Sequence, residues 1–138
     1  MLNLHPLLND HAVLQAGKPI AISGSATAGA AVTAELGSEK QSTRADALGG
    51  WSLLFPARGP GIALTLQVTS GPETVTRTDL VTGEVWLCSG QSNMEWMVGQ
   101  LKDAEAVCAA AQNPQIRCFT VPRNSLRQPT AQAVGTWQ

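Results

Sequence analysis

The sequence has little charge and no long apolar run. Charged residues make up only 14% of the chain, against 43% hydrophobic, and the formal net charge is -1. The few basic residues are scattered and form no stripe, which speaks against nucleic acid or an anionic membrane as partner. No apolar run approaches the roughly 20 residues of a membrane-spanning helix. The opening "MLNLHPLLND" has no basic n-region, no long apolar core and no cleavage site. It is not a secretion signal as it stands, and the compartment is left open. Three cysteines (Cys88, Cys108 and Cys118) are too few for a disulfide framework and lack metal-ligand spacing. Their apolar neighbours predict buried free thiols without a catalytic role. No paired carboxylates of the glycosidase kind are seen; Glu95 and Asp103 stand alone. There are no repeats and no low-complexity tract.

Short strands separated by turns fill the first part. "KPIAIS" puts Ile20 and Ile22 on one face, and "AVTAEL" does the same for Val32, Ala34 and Leu36. "WSLLF" groups Trp51, Leu53 and Phe55, and "IALTLQV" groups Ile62, Leu64, Leu66 and Val68. A period of two is the mark of a half-buried strand. Glycine-rich punctuation between the runs points to an antiparallel β-sandwich over residues 1–82.

The pattern then changes. Val85-Trp86-Leu87-Cys88 is continuously apolar, as in a strand buried on both faces of a parallel sheet, and Trp86 is expected in the core. "LKDAEAVCAAAQNP" predicts a helix ended by Asn113-Pro114, and "QIRCFTV" a second strand. The remaining "PRNSLRQPTAQAVGTWQ" reads as a loop. Residues 83–138 therefore look like the first part of an α/β domain. Two strands and one helix cannot cover both faces of a parallel sheet. The chain is expected to be a fragment, completed by further sequence or by a second chain.

Where the apolar run stops, the sequence continues "SGQSNMEW". Such small polar residues build turns. They can also present a nucleophile. Gly90 permits a tight turn and a close approach by substrate. Ser92 would open the next helical segment, where unpaired N–H groups favour a forming oxyanion. Ser89 is the competing hydroxyl, placed to hydrogen-bond locally. The block departs from the G-x-S-x-G elbow, because Met94 stands where the second glycine belongs.

"GEVWLCSGQSNMEW" resembles the nucleophile block of sialate O-acetylesterases and related carbohydrate acetylesterases of the SGNH hydrolase group. "LLNDHAVLQAGKPIAISGSATAGAAVT" and "ADALGGWSLLFPA" resemble the β-sandwich that precedes the catalytic domain there, and "AQNPQIRCFTVPR" the segment after the nucleophile. The resemblance implies an SGNH/flavodoxin-like hydrolase domain with Ser92 as nucleophile. It implies that the Ser92 N–H serves the oxyanion hole, with Gly90, Gln91 and Asn93 shaping the turn or touching substrate. The implied substrate is an O-acetylated sugar, typically sialic acid, and no metal or cofactor is implied. In the family the base lies in an Asp-x-x-His segment far downstream, with further oxyanion donors. The chain ends before these, so by itself it is expected to be inactive.

Other candidates read as structural. Asp10 and His11 are adjacent, and neighbours in an extended segment face opposite ways, so they form no relay by themselves. Trp51 belongs to a strand face. Trp96, just after the turn, either lines a sugar site or packs. Arg117, Arg123 and Arg127 are expected at a solvated surface. The alternative function is a non-catalytic β-sandwich module that binds carbohydrate or a partner.

Overall fold

The computed structural model describes residues 1–122 and 134–138. Among the described residues eight strands dominate: β1 (Asn3–Leu4), β2 (Val13–Gln15), β3 (Ile20–Ser25), β4 (Ala31–Leu36), β5 (Glu39–Arg44), β6 (Gly50–Phe55), β7 (Ala63–Ser70) and β8 (Glu73–Gly83). One sheet has the order β1-β3-β6 and the other β2-β8-β7-β4-β5. All pairings are antiparallel except β2 with β8, which run parallel. By contacts the chain falls into two units. Met1–Val85 and Arg117–Gln138 form the first, and Trp86–Ile116 the second.

Both sheets of the first unit contribute to one core. Ile20, Ile22, Trp51, Leu53 and Phe55 come from the three-stranded sheet. Val32, Ala34, Leu36, Leu64, Leu66, Val68 and Leu80 come from the five-stranded one. Alternation decides which side chains go in, since successive residues of a strand face opposite ways. Ile62 departs from the reading. It precedes β7, is partly exposed, and its N–H donates to Thr82 Oγ1 at 3.0 Å. Thr82 is buried with its hydroxyl satisfied, donating to the Gly59 carbonyl at 2.6 Å. Gly24 is required where β1 crosses close to β3, because a Cβ there would lie 2.0 Å from the Asn3 carbonyl oxygen.

The turn between β5 and β6 is built by one carboxylate. Asp46 Oδ1 accepts from the N–H groups of Leu48 and Gly50, both at 2.8 Å. Asp46→Ala should cost about 1–2 kcal/mol, the usual loss for two such bonds in a solvated turn. A urea midpoint unchanged by the substitution would show that the turn holds its shape without them.

Strand β8 changes phase midway. Leu64 pairs with Leu80 and Leu66 with Arg77, so Thr78 and Asp79 together oppose one residue of β7. Asp79 takes a left-handed φ of 52°. This is a β-bulge, which inserts one residue and re-aims the side chains beyond it. Val75 and Arg77 are half-buried before it, whereas Leu80 and Thr82 are buried after it.

The second unit differs from the sequence reading. The expected buried strand at residues 85–88 is not formed: β8 ends at Gly83, and no strand is assigned from Glu84 to Gly90. Trp86 and Leu87 are 83% and 93% exposed. A strand buried on both faces needs neighbouring strands and covering helices. Among the described residues this unit holds no strand, and its one short α-helix, over Ala104–Ala110, buries no residue. The three cysteines are free as expected but exposed, not buried; Cys88 and Cys108 lie in this unit and Cys118 in the first. The expected helix is present as α1 (Ala104–Ala110). In place of the second strand there is an isolated bridge between Phe119 and Trp137, flanked by paired backbone bonds between Cys118 and Gln138. So Trp137, within the stretch read as loop, is tied back. Its ring packs edge-on to Phe119 at 5.5 Å, and its Nε1–H donates to the Leu7 carbonyl at 2.9 Å.

Candidate active site

The turn begins with Gly90 and Gln91. Gln91 is extended (φ -106°, ψ -151°), and a 3-10 turn then runs over Ser92–Glu95. The Met94 N–H closes it on the Gln91 carbonyl at 2.9 Å. In a turn of this kind the first N–H groups have no acceptor within the turn itself. Here those are the N–H groups of Ser92 and Asn93. A Cβ on Gly90 would lie 2.5 Å from Met94 Cγ, so a side chain there would displace Met94. Ser92, Gln91, Asn93 and Trp96 are all exposed. A second 3-10 turn, Val98–Gln100, precedes α1, with the Gln100 side chain accepting from the Met97 N–H at 3.0 Å.

Both histidines lie in the first unit. His5 Nδ1 accepts from the Leu7 N–H at 3.3 Å. Asp10 and His11 do not pair with each other. Asp10 Oδ1 accepts from the Thr78 N–H at 2.6 Å and the Thr78 hydroxyl at 3.2 Å. His11 Nδ1 lies 2.6 Å from Asp79 Oδ2. Arg117 completes the group. Its Nη1 donates to the His11 carbonyl at 3.0 Å and to the Asp79 carbonyl, and its Nη2 to Asp79 Oδ1 at 3.1 Å. The expected solvated Arg117 is therefore only 15% exposed, held by two carbonyls and a carboxylate. Arg123 and Arg127 lie outside the described residues. Trp51 is buried as expected, and the expected core position of Trp86 is not found. Sequence reasoning missed the cluster of His11, Asp79 and Arg117. Its one signal was an aspartate interrupting the alternation of "TVTRTDLVTG".

The hydrogen bond from His11, then the contact with Arg117, hold the Asp79 carboxyl below its ordinary pKa of 3.8. The Thr78 N–H does the same for Asp10. A carboxyl with a lowered folded-state pKa contributes stability that is complete above its unfolded pKa. The contribution is lost as pH falls through the lower folded value. Asp79 is solvated, so the effect is modest. Between about pH 5 and pH 3 the wild type should lose more melting temperature than Asp79→Asn. Parallel acid limbs for the two proteins would contradict this.

No family model matches the chain. Among curated proteins it is similar to sialate O-acetylesterase of Rattus norvegicus. The two are 31% identical over an alignment of 123 positions, taking in 81% of this chain and 23% of the relative. Among solved structures it is similar to a carbohydrate acetylesterase from Xanthomonas citri, with TM-score 0.94 and 34% identity. That match covers 100% of this chain and 32% of the other. The chain thus spans a third or less of the length of either relative. Both matches bear out the resemblance to sialate O-acetylesterase-type carbohydrate acetylesterases.

Proposed function

We propose that this relative of the sialate O-acetylesterase-type carbohydrate acetylesterases supplies the nucleophile of a carboxylic ester hydrolase that removes O-acetyl groups from sugars. The observation that carries the reading is the exposed Ser92 at the head of its 3-10 turn, behind Gly90 and the extended Gln91. Ser92 Oγ attacks the acetyl carbonyl while a histidine takes its proton. The carbonyl oxygen becomes an oxyanion beside the Ser92 N–H. Collapse expels the sugar oxygen, which takes a proton from the histidine. Water then cleaves the acetyl–serine ester and releases acetate. Gln91 and Asn93 hold the turn or touch substrate, and Trp96 offers an aromatic face to a sugar ring. Sialic acid is the substrate the resemblance favours.

The resemblance implies a base in an Asp-x-x-His segment of further polypeptide, and His5 and His11 each have a structural partner in the first unit. We read residues 1–82 as a β-sandwich scaffold, because two sheets share one core. We read residues 83–138 as opening an SGNH-type domain, although by contacts only Trp86–Ile116 stand apart from the first unit, and further elements of that domain cover Trp86, Leu87, Met97 and Leu101, all exposed here. The 138-residue chain alone should therefore release acetate from an O-acetylated sugar at the uncatalysed rate. It should become active when its catalytic complement is supplied. Turnover by the isolated chain that is lost in Ser92→Ala would place the base within these residues and sink the completion model.

A second reading rests on a cleft of about 530 Å³ in the first unit, lined by His5, Ser23, Arg44, Asp46, Trp51 and Ser52 among others. Its mixture of donors and acceptors suits a hydroxyl-rich ligand, as a carbohydrate-binding module would require. Titrating the chain with acetylated glycans tests it. Saturable shifts at Ser23 and Ser52 amides would support it, and unmoved amides would leave the unit a scaffold.

A further inference from the structure

The segment that carries Ser92 leaves the first unit after Val85 and returns at Arg117. Both ends are held by the same short stretch, the residues leading into and through β2. At the departing end, Gln15 Oε1 accepts from the Val85 N–H at 3.1 Å, and Gln15 Nε2 donates to Glu84 Oε2 at 3.2 Å. At the returning end, Arg117 spans the His11 carbonyl, the Asp79 carbonyl and the Asp79 carboxylate. His11 and Gln15 are four positions apart, so the anchors stand no more than about 14 Å from each other along the chain.

The returning anchor is unusually well built. His11 and Asp79 both have left-handed backbones, at φ 66° and 52°, a conformation uncommon for non-glycine residues though better tolerated by Asp and His than by most. The bulge on β8 would otherwise leave backbone groups unpaired. The Thr78 N–H goes to Asp10, the Thr78 carbonyl accepts from the His11 N–H at 3.1 Å, and the Asp79 carbonyl accepts from Arg117. The His11 imidazole braces the second oxygen of the Asp79 carboxylate. The planar guanidinium meets these acceptors from two nitrogens in a fixed fork, whereas a lysine ammonium offers its donors from a single nitrogen on a flexible stem.

We propose that Arg117 is a positioning residue: seated on the β8 bulge, it fixes the returning foot of the segment that bears Ser92, as Gln15 fixes the departing foot. The proposal rests on the esterase reading for its consequence and on the anchor geometry alone for its first test. That test is ¹⁵N relaxation on the 138-residue chain. Arg117→Ala should drop the order parameters of Ile116, Cys118 and Phe119 from about 0.85 to below about 0.6, leaving β4 and β7 near 0.85. Arg117→Lys should fail to restore them. If Arg117→Ala does not fold, Asp79→Asn removes the charged arm and should give the same change at smaller amplitude. Unchanged order parameters at residues 116–119 in a folded variant would overturn the proposal.

The second test uses the completed enzyme. There Arg117→Ala should lower kcat by about 10–100-fold with KM unchanged, the mark of a displaced nucleophile. A variant that only melts earlier, with kcat intact below its melting point, would reduce Arg117 to a stability role and overturn the proposal. Activity that survives Ser92→Ala would instead remove the esterase reading and leave the relaxation result standing.

Discussion

Ser92→Ala in the completed enzyme should lower kcat/KM for acetate release by about 10⁴-fold or more, with the fold intact. Removing a serine nucleophile typically costs this much, because the residual rate comes only from oxyanion stabilisation and binding. Ser92 is exposed and makes no core contact, so the substitution should leave the urea midpoint unchanged within about 0.5 kcal/mol. Ser89→Ala is the control. It lies before Gly90 and outside the 3-10 turn, and its loss should leave kcat within a few-fold. An active Ser92→Ala enzyme, or an inactive Ser89→Ala enzyme, would reassign the nucleophile. The pairing of the two variants separates chemistry from turn geometry, since both residues belong to the same small polar stretch.

Phe55→Ala should destabilise the first unit by about 3–5 kcal/mol, a large share of the 5–15 kcal/mol that holds a typical domain folded. Phe55 is 1% exposed and pairs in register with Ile20, itself in the core. Its removal leaves a cavity between residues already in contact on two sheets. The neighbouring residue provides the contrast. Leu54 points outward and is 62% exposed, so Leu54→Ala should shift stability by no more than about 0.5 kcal/mol. Guanidinium unfolding measures both. Equal losses at 54 and 55 would mean that strand alternation does not decide burial in β6.

Much of the first unit was legible because strand alternation is local. Val32, Ala34 and Leu36, and Leu64, Leu66 and Val68, announce their inward face within a few residues. The features that were not legible depend on distant partners. The parallel pairing of β2 with β8 and the bulge at Thr78–Asp79 arise from non-local registers. The bond between His11 and Asp79 joins residues 68 apart, and that between Arg117 and Asp79 residues 38 apart. The apolar run Val85–Cys88 misled for the opposite reason. Its composition does signal burial, but burial needs partner elements, and the described residues place none around it. The cysteines follow the same logic: apolar surroundings in sequence are not apolar surroundings in space. At the candidate site, the turn was readable from an apolar run stopping at Ser-Gly-Gln-Ser-Asn, and the 3-10 turn begins at Ser92. The anchoring of that segment by Gln15 and Arg117 was not readable, since neither residue carries a local signal of its contacts.

The most direct measurement is to treat the completed enzyme with a fluorophosphonate and map the adduct by tandem mass spectrometry. Cleavage after Arg77 and Lys102 yields one peptide that contains both Ser89 and Ser92. The adduct should sit on Ser92, with loss of acetate release in step with labelling. An adduct on Ser89, or complete inhibition without a modified serine in that peptide, would contradict the assignment of Ser92 as the nucleophile.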